Sequence, residues 1–215
     1  METKLNAFET SVNGVLYTSD LTRCIGYRDK NCDIKKVVIP KETKRIGPYA
    51  FRYLETLEEI IFSNELEGID CFTFERCRGL KRIVLPEGIE EIELSSFKDC
   101  TNLEEIILPM TLKSIDGYAF KSCVNLKKLV LNPNIKKIPA SAISNCPNLT
   151  IYSTGVEIEY EQSEEDYDIS CKFETYDKKD YEKLIYDMKD ELKDVFPKEQ
   201  LIDVIKEEIN NLSFI

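Results

Sequence analysis

Eight cysteines and 40 aspartates and glutamates are the side chains here with chemistry to offer. Thiolates and carboxylates ligate metals, and paired carboxylates serve as general acids and bases. The group that usually completes such sites is missing. The chain has no histidine, which removes Ser-His and Cys-His nucleophile pairs, histidine bases and the commonest transition-metal ligand. Four of the cysteines, Cys77, Cys100, Cys123 and Cys146, recur every 23 residues. Thiols at one position of successive layers point the same way, which suits disulfide geometry poorly. No C-x-x-C pair offers zinc a half-site. These four read as small buried hydrophobes, while Cys24, Cys32, Cys71 and Cys171 are scattered. Glu90-Glu91 and similar acid pairs have no pocket around them and read as solvated. The sequence therefore points to no catalytic residue, metal site, cofactor or small-molecule substrate.

The cysteine period belongs to a larger one. Units of 23 residues begin at Val37, Ile60, Ile83, Ile106 and Leu129, without a gap. Stacked, they align four apolar columns. One is Val37, Ile60, Ile83, Ile106 and Leu129, and a second is Ile39, Phe62, Leu85, Leu108 and Leu131. The return side supplies Ile46, Ile69, Ile92, Ile115 and Ile138, then Phe51, Phe74, Phe97, Phe120 and Ile143. Alternation over two or three residues marks a short strand at the head of each unit. No single unit buries its own columns, so stability requires the stack. The predicted fold is an α/β repeat: a leucine-rich-repeat solenoid of five 23-residue units.

The motifs "IILP" (106–109), "SIDGYAF" (114–120) and "SCVNL" (122–126), with their counterparts in neighbouring units, resemble the BspA-type leucine-rich repeats. The upstream "NGVLYTSDLTRCIGY" (13–27) looks like the β-hairpin that often caps such arrays. The resemblance spans about residues 8–154. It implies a family whose members are commonly surface or secreted proteins that bind other proteins, often as adhesins.

The charges obey a different rule from the apolar columns. The two residues before each buried strand position are Lys35-Lys36, Glu58-Glu59, Lys81-Arg82, Glu104-Glu105 and Lys127-Lys128, alternating in sign. Parallel strands place equivalent residues about 4.8 Å apart, so identical charges would repel and alternating ones attract, by about 0.2–1 kcal/mol a pair. Between the buried strand positions lie Val38, Ile61, Val84, Ile107 and Val130, which alternation turns to the concave face. A strip of five apolar residues has three readings: β-branched residues suiting strands, a binding surface, or a surface covered by the C-terminal segment. The partner-binding expectation comprises Val38, Ile61, Val84, Ile107 and Val130 with the border Lys36, Glu59, Arg82, Glu105 and Lys128.

Residues 155–215 hold 19 acids and 8 bases, so the whole net charge of −11 lies there. Three parts follow: a cap at 1–33, the solenoid at 34–154 and an acidic C-terminal segment at 155–215. In the last, "VEIEYEQ" (156–162) reads as an edge strand closing the array. Tyr181, Leu184, Ile185, Met188, Leu192 and Val195 fit one helix face. Pro197 opens a second helix carrying Leu201, Ile202, Ile205, Ile209 and Leu212. This helical hairpin either caps the fifth repeat or forms a separate acidic module.

No basic stripe is available for nucleic acid, no apolar run approaches the ~20 residues that span a bilayer, and no signal peptide precedes the repeats. The expectation is a cytoplasmic protein that binds another protein through its concave face. The alternative is an intracellular inhibitor whose carboxylates (Glu157, Glu159, Glu161, Glu164, Glu165, Asp166 and Asp168) occupy a basic, nucleic-acid-binding site on its target.

Overall fold

The computed structural model describes residues 9–27, 33–159, 168–177 and 180–192. The chain opens with β1 (Glu9–Val12) and β2 (Val15–Thr18), an antiparallel hairpin turning at Asn13-Gly14, both with positive φ. β3 (Arg23–Tyr27) pairs antiparallel with β2. It then meets the first coil in parallel, and an added Cβ at Gly26 (φ +126°) would lie 2.3 Å from the Ala50 carbonyl oxygen. The cap places Val15, Tyr17 and Cys24 over the first coil's apolar face.

Each coil that follows contributes a strand to the concave side and a shorter one to the return side. They are β4 (Lys36–Val38) and β5 (Arg45–Ile46), β6 (Glu59–Ile61) and β7 (Gly68–Ile69), β8 (Arg82–Val84) and β9 (Glu91–Ile92), β10 (Glu105–Ile107) and β11 (Ser114–Ile115), and β12 (Lys128–Val130) and β13 (Lys137–Pro139). Residue pairing between neighbouring coils is in register at the repeat, as in Lys36 with Glu59 and Ile83 with Ile106. All four expected apolar columns are buried in one cluster. Within it Phe51, Phe74, Phe97 and Phe120 stack, with ring centroids 5.5, 5.3 and 5.7 Å apart.

The return to the next coil is made by turns, not helices. Apart from a short 3-10 turn at Ala140–Ile143, the repeats hold no helix among the described residues, so the α/β expectation gives way to a β-solenoid. Two columns of non-glycine residues adopt the left-handed conformation at the repeat spacing: Tyr49, Phe72, Ser95 and Tyr118, then Tyr53, Arg76, Asp99, Ser122 and Asn145. That conformation costs about 1–2 kcal/mol per residue. It aims backbone N–H groups at the next coil: Tyr53 N–H donates to the Glu75 carbonyl, Arg76 to Lys98, Asp99 to Lys121 and Ser122 to Ser144. A third ladder thus closes the side of the coil that has no strands.

The array runs past residue 154. β14 (Thr150–Ser153) joins β12 in parallel, β15 (Glu157–Glu159) joins β13, and β16 (Lys172–Thr175) joins β14. The described part of the "VEIEYEQ" segment, β15, therefore belongs to the return side of a sixth coil. The extra coils were hidden because Leu129 pairs with Ile151, and Ile151 with Phe173, one residue short of the repeat. One helix is described in the appendage, α1 (Tyr181–Leu192), and the predicted second helix (residues 197–212) lies outside the described residues.

The cysteine column is buried, and each thiol donates to a phenylalanine carbonyl: Cys77 to Phe51, Cys100 to Phe74, Cys123 to Phe97 and Cys146 to Phe120, at 3.0–3.1 Å. Burial pushes these thiols up, Cys146 to about 12 and the others in the same direction. Two predictions follow from this packing. The four should resist a thiol-specific reagent at pH 8 in the native protein and react on denaturation, as stopped-flow absorbance will show. Phe97→Ala, which opens the ring stack, should cost about 3–5 kcal/mol in chemical denaturation.

Candidate protein-interaction surface

The second residue of each concave strand turns inward, and its neighbours turn out. This places Val38, Ile61, Val84, Ile107 and Val130 in one outward column, as the sequence predicts. Their environments differ. Val38 is 53% exposed and Ile61 partly so, whereas Val84, Ile107 and Val130 are buried, at 0%, 0% and 1%. The strip is not continuously exposed, because α1 lies across these three. Tyr181, Ile185 and Met188, at i, i+4 and i+7, form with them a second hydrophobic cluster, flanked by Met110, Tyr152, Tyr176 and Leu184. Tyr176 ties the approach to the helix by donating its hydroxyl to the Leu131 carbonyl and its N–H to Ser153. Of the three readings of the strip, intramolecular cover holds for coils three to five. The companion expectation, a helical hairpin capping the fifth repeat, is corrected for its first helix: α1 sits on the concave sheet, and β14 and β16 continue the stack beyond β12.

The charged border pairs as the sign alternation requires. Lys36 lies 2.8 Å from Glu59 and Arg82 3.0 Å from Glu105. In the outer row Lys35 is 3.7 Å from Glu58, and Lys127 is 2.6 Å from Glu104, whose carboxyl the lysine draws below its usual range. Lys128 is aligned with Glu105 and reaches over the Tyr152 ring, 5.9 Å from its centroid. The ladder divides into pairs. Glu59 turns back to Lys36 and Arg82 forward to Glu105, at the place where the concave strands fall into two hydrogen-bonded groups, β4–β6 and β8–β16.

The alternative acidic site is only partly visible. Glu157 and Glu159 extend from β15 toward Lys137, at 3.8 and 2.9 Å, so both take part in the intercoil ladder. The Asp168 carbonyl accepts from the Asn145 N–H. Glu161, Glu164, Glu165 and Asp166 lie outside the described residues.

Two further groupings escaped the sequence reading. At the left-handed turns, Arg52 sits over the rings of Tyr49, Tyr53 and Phe72, at 5.4, 4.6 and 5.7 Å, and pairs with buried Glu75. Tyr49 and Tyr53 stay nearly half exposed, at 49% and 45%. Tyrosine and arginine side by side are the composition of interface anchors. The signal was present in the tyrosines flanking Phe51, but nothing in the period set them apart from packing. On the return side a cleft of about 410 Å³ is lined by Arg45, Gly68, Glu90, Glu91 and Glu93. Asp70 holds Arg23 and Arg45 together there, and desolvation pushes the Glu93 carboxyl above its usual range. Among the described residues no group of His, Cys, Asp and Glu is arranged to hold a metal ion.

A parallel β-coil stack with one repeat per turn, homotypic apolar columns and a concave strand face is the architecture of a leucine-rich-repeat solenoid. The chain belongs to the BspA type leucine-rich repeat family, whose model matches residues 27–150 in 6 copies. A leucine-rich repeat protein from Eubacterium ventriosum superposes with a TM-score of 0.62 at 21% identity, over 70% of this chain and 40% of that one. The pneumococcal vaccine antigen PcpA gives 0.62 at 23%, over 79% and 48%. The leucine-rich repeat protein TpLRR of T. pallidum gives 0.53 at 23%, over 73% and 84%. At these identities the likeness is one of fold, and the chain spans less than half the length of the first two structures. No curated protein matches it.

Arg82→Glu sets carboxylates side by side and should cost up to about 1 kcal/mol, and Arg82→Gln, which only removes the attraction, should cost less, as urea melts of the two variants will show. Glu93 carries the opposite sign from the lysine-paired acids. Its raised folded value penalises the ionised form, so the penalty is full above the folded value, declines as pH falls through it and is gone below the unfolded one. Glu93→Gln removes this penalty together with the Arg45 contact, so its stability relative to the parent should rise from pH 4 to pH 7, as urea melts across that range will show.

Proposed function

We propose that this chain is a non-catalytic protein–protein interaction module that takes a protein partner on its concave face. Proteins of the leucine-rich-repeat class typically mediate protein–protein interaction, and the BspA-type family is generally non-catalytic. The observation that carries the concave-face reading is the uncovered part of the strip. Val38 stands 53% exposed beside partly exposed Ile61, flanked by the Lys36–Glu59 and Arg82–Glu105 pairs. An apolar centre rimmed by ordered charges of both signs is how interfaces are built, the centre supplying affinity and the rim orientation. A protein ligand accounts for this surface better than nucleic acid, because Lys36 and Arg82 of the border are already paired with carboxylates. The sites on which this reading rests are Val38, Ile61, Lys36, Glu59, Arg82, Glu105 and Lys128, with Val84, Ile107 and Val130 beneath α1.

The test is affinity capture from native lysate with the parent chain and with V38D/I61D. Both positions face outward, so the variant should keep the parent's circular dichroism and melting temperature. The partner held by the parent should be lost from the variant by tenfold or more. Equal capture by both proteins sinks the concave-face reading.

A further inference from the structure

The concave face already holds a ligand: the chain's own helix. α1 contacts the strip through Tyr181, Ile185 and Met188, each 1–3% exposed, while its opposite side is open to solvent, with Tyr186 at 60%. Three anchors on one face of a helix lying over an apolar surface is the recurring helix-in-groove mode of recognition. The fit has a geometric basis. Val84, Ile107 and Val130 sit on three successive parallel strands, so the column extends over about 9.6 Å. Seven residues of α-helix, from Tyr181 to Met188, rise about 10.5 Å. A column of one residue per coil therefore matches the i, i+4, i+7 spacing of an amphipathic helix. The match is a property of the stack, not of α1 in particular.

The column also outruns its occupant. Ile61 and Val38 continue it by two coils beyond the cluster formed with Tyr181, Ile185 and Met188, and Val38 is the most exposed residue in it. We propose that the concave face is a groove for an amphipathic helix, that α1 is a tethered stand-in occupying coils three to five, and that the partner is a protein helix displacing it. The partner's apolar stripe runs i, i+4, i+7, i+11, i+14, long enough to reach Val38. This rests on the concave-face reading above and names its partner class. The tether keeps α1 at an effective concentration in the millimolar range, so a free helix of equal length binds the parent weakly, and a longer one gains by engaging the two uncovered coils.

The test uses the full-length chain and two fluorescein-labelled peptides followed by anisotropy. One carries the sequence of residues 180–192 with Leu192→Ser, so that its apolar stripe ends at Met188. The other is a designed helix that continues the same stripe for two more turns. Full-length I185D/M188D, which frees the groove, should bind the short peptide at least tenfold more tightly than the parent does. Ile107→Thr in that background should weaken it tenfold, since threonine keeps the strand but wets the groove. The long peptide should bind the parent at least tenfold more tightly than the short one, and Val38→Asp should remove that gain. With circular dichroism unchanged, equal binding of the short peptide to parent and I185D/M188D, no binding to either, or no advantage of the long peptide overturns the proposal. Because both probes are synthetic, such a failure leaves the lysate test of the concave-face reading standing, and failure of that test leaves this result readable.

Discussion

Every coil of this protein meets its own equivalent about 4.8 Å away, and that self-contact decides what each position tolerates. A residue that attracts its own kind is repeated. Phenylalanine stacks on phenylalanine through Phe51, Phe74, Phe97 and Phe120, and cysteine follows cysteine at Cys77, Cys100, Cys123 and Cys146. A residue that repels its own kind must alternate, and Lys36–Glu59 and Arg82–Glu105 are the result. The same constraint explains why strained backbone recurs. The left-handed residues on the turn side aim their N–H groups at the neighbouring coil, so strain in one coil is compensated by a bond to the next. Glycine would relieve the strain, but it would remove the side chains that connect coils there, such as the stacked Tyr49–Phe72 rings and the Arg76–Asp99 pair.

Self-contact also creates the surface that has to be managed. A strand's outward residue repeats as faithfully as its inward one, so the face opposite the core acquires an apolar column of its own. Left open over five coils it would be the long hydrophobic strip that soluble proteins rarely expose. Among the described residues α1 covers three coils, while Val38 stays exposed and Ile61 partly so, which makes the N-terminal half of the concave face different from the C-terminal half although the repeats are nearly the same.

The columns were legible because a sequence compared with itself reveals contacts that a single unit does not. Val37 and Ile60 need no structure to be recognised as neighbours once the 23-residue offset is seen. What escaped was whatever broke the offset. Pairing of Leu129 with Ile151 and of Ile151 with Phe173 slips by one residue, and with it the sixth coil and β16 disappeared from view. The helical face of Tyr181, Ile185 and Met188 was equally plain, but periodicity states which side of a helix is apolar and not which surface receives it. The end of the stack and the concave strip both offered an apolar surface, and only the fold shows that β16 extends the first while α1 takes the second.

The division of the charge ladder into pairs carries a further consequence. Perfect alternation would let every border residue pair with both neighbours, giving an unbroken row from Lys36 to Lys128. Instead Glu59 faces back and Arg82 faces forward, where the strand hydrogen bonding is also interrupted between β6 and β8. Each surface ion pair contributes little, about 0–1 kcal/mol, so the border cannot dictate the backbone. The causal order runs from the strand break to the pairing. The break falls between the two uncovered strip residues, Val38 and Ile61, and the first one α1 covers, Val84, so the open half of the concave face is a separate two-strand unit with its own charge pair. That unit contains the most exposed part of the apolar column, and its hydrogen bonding is distinct from that of the part α1 covers.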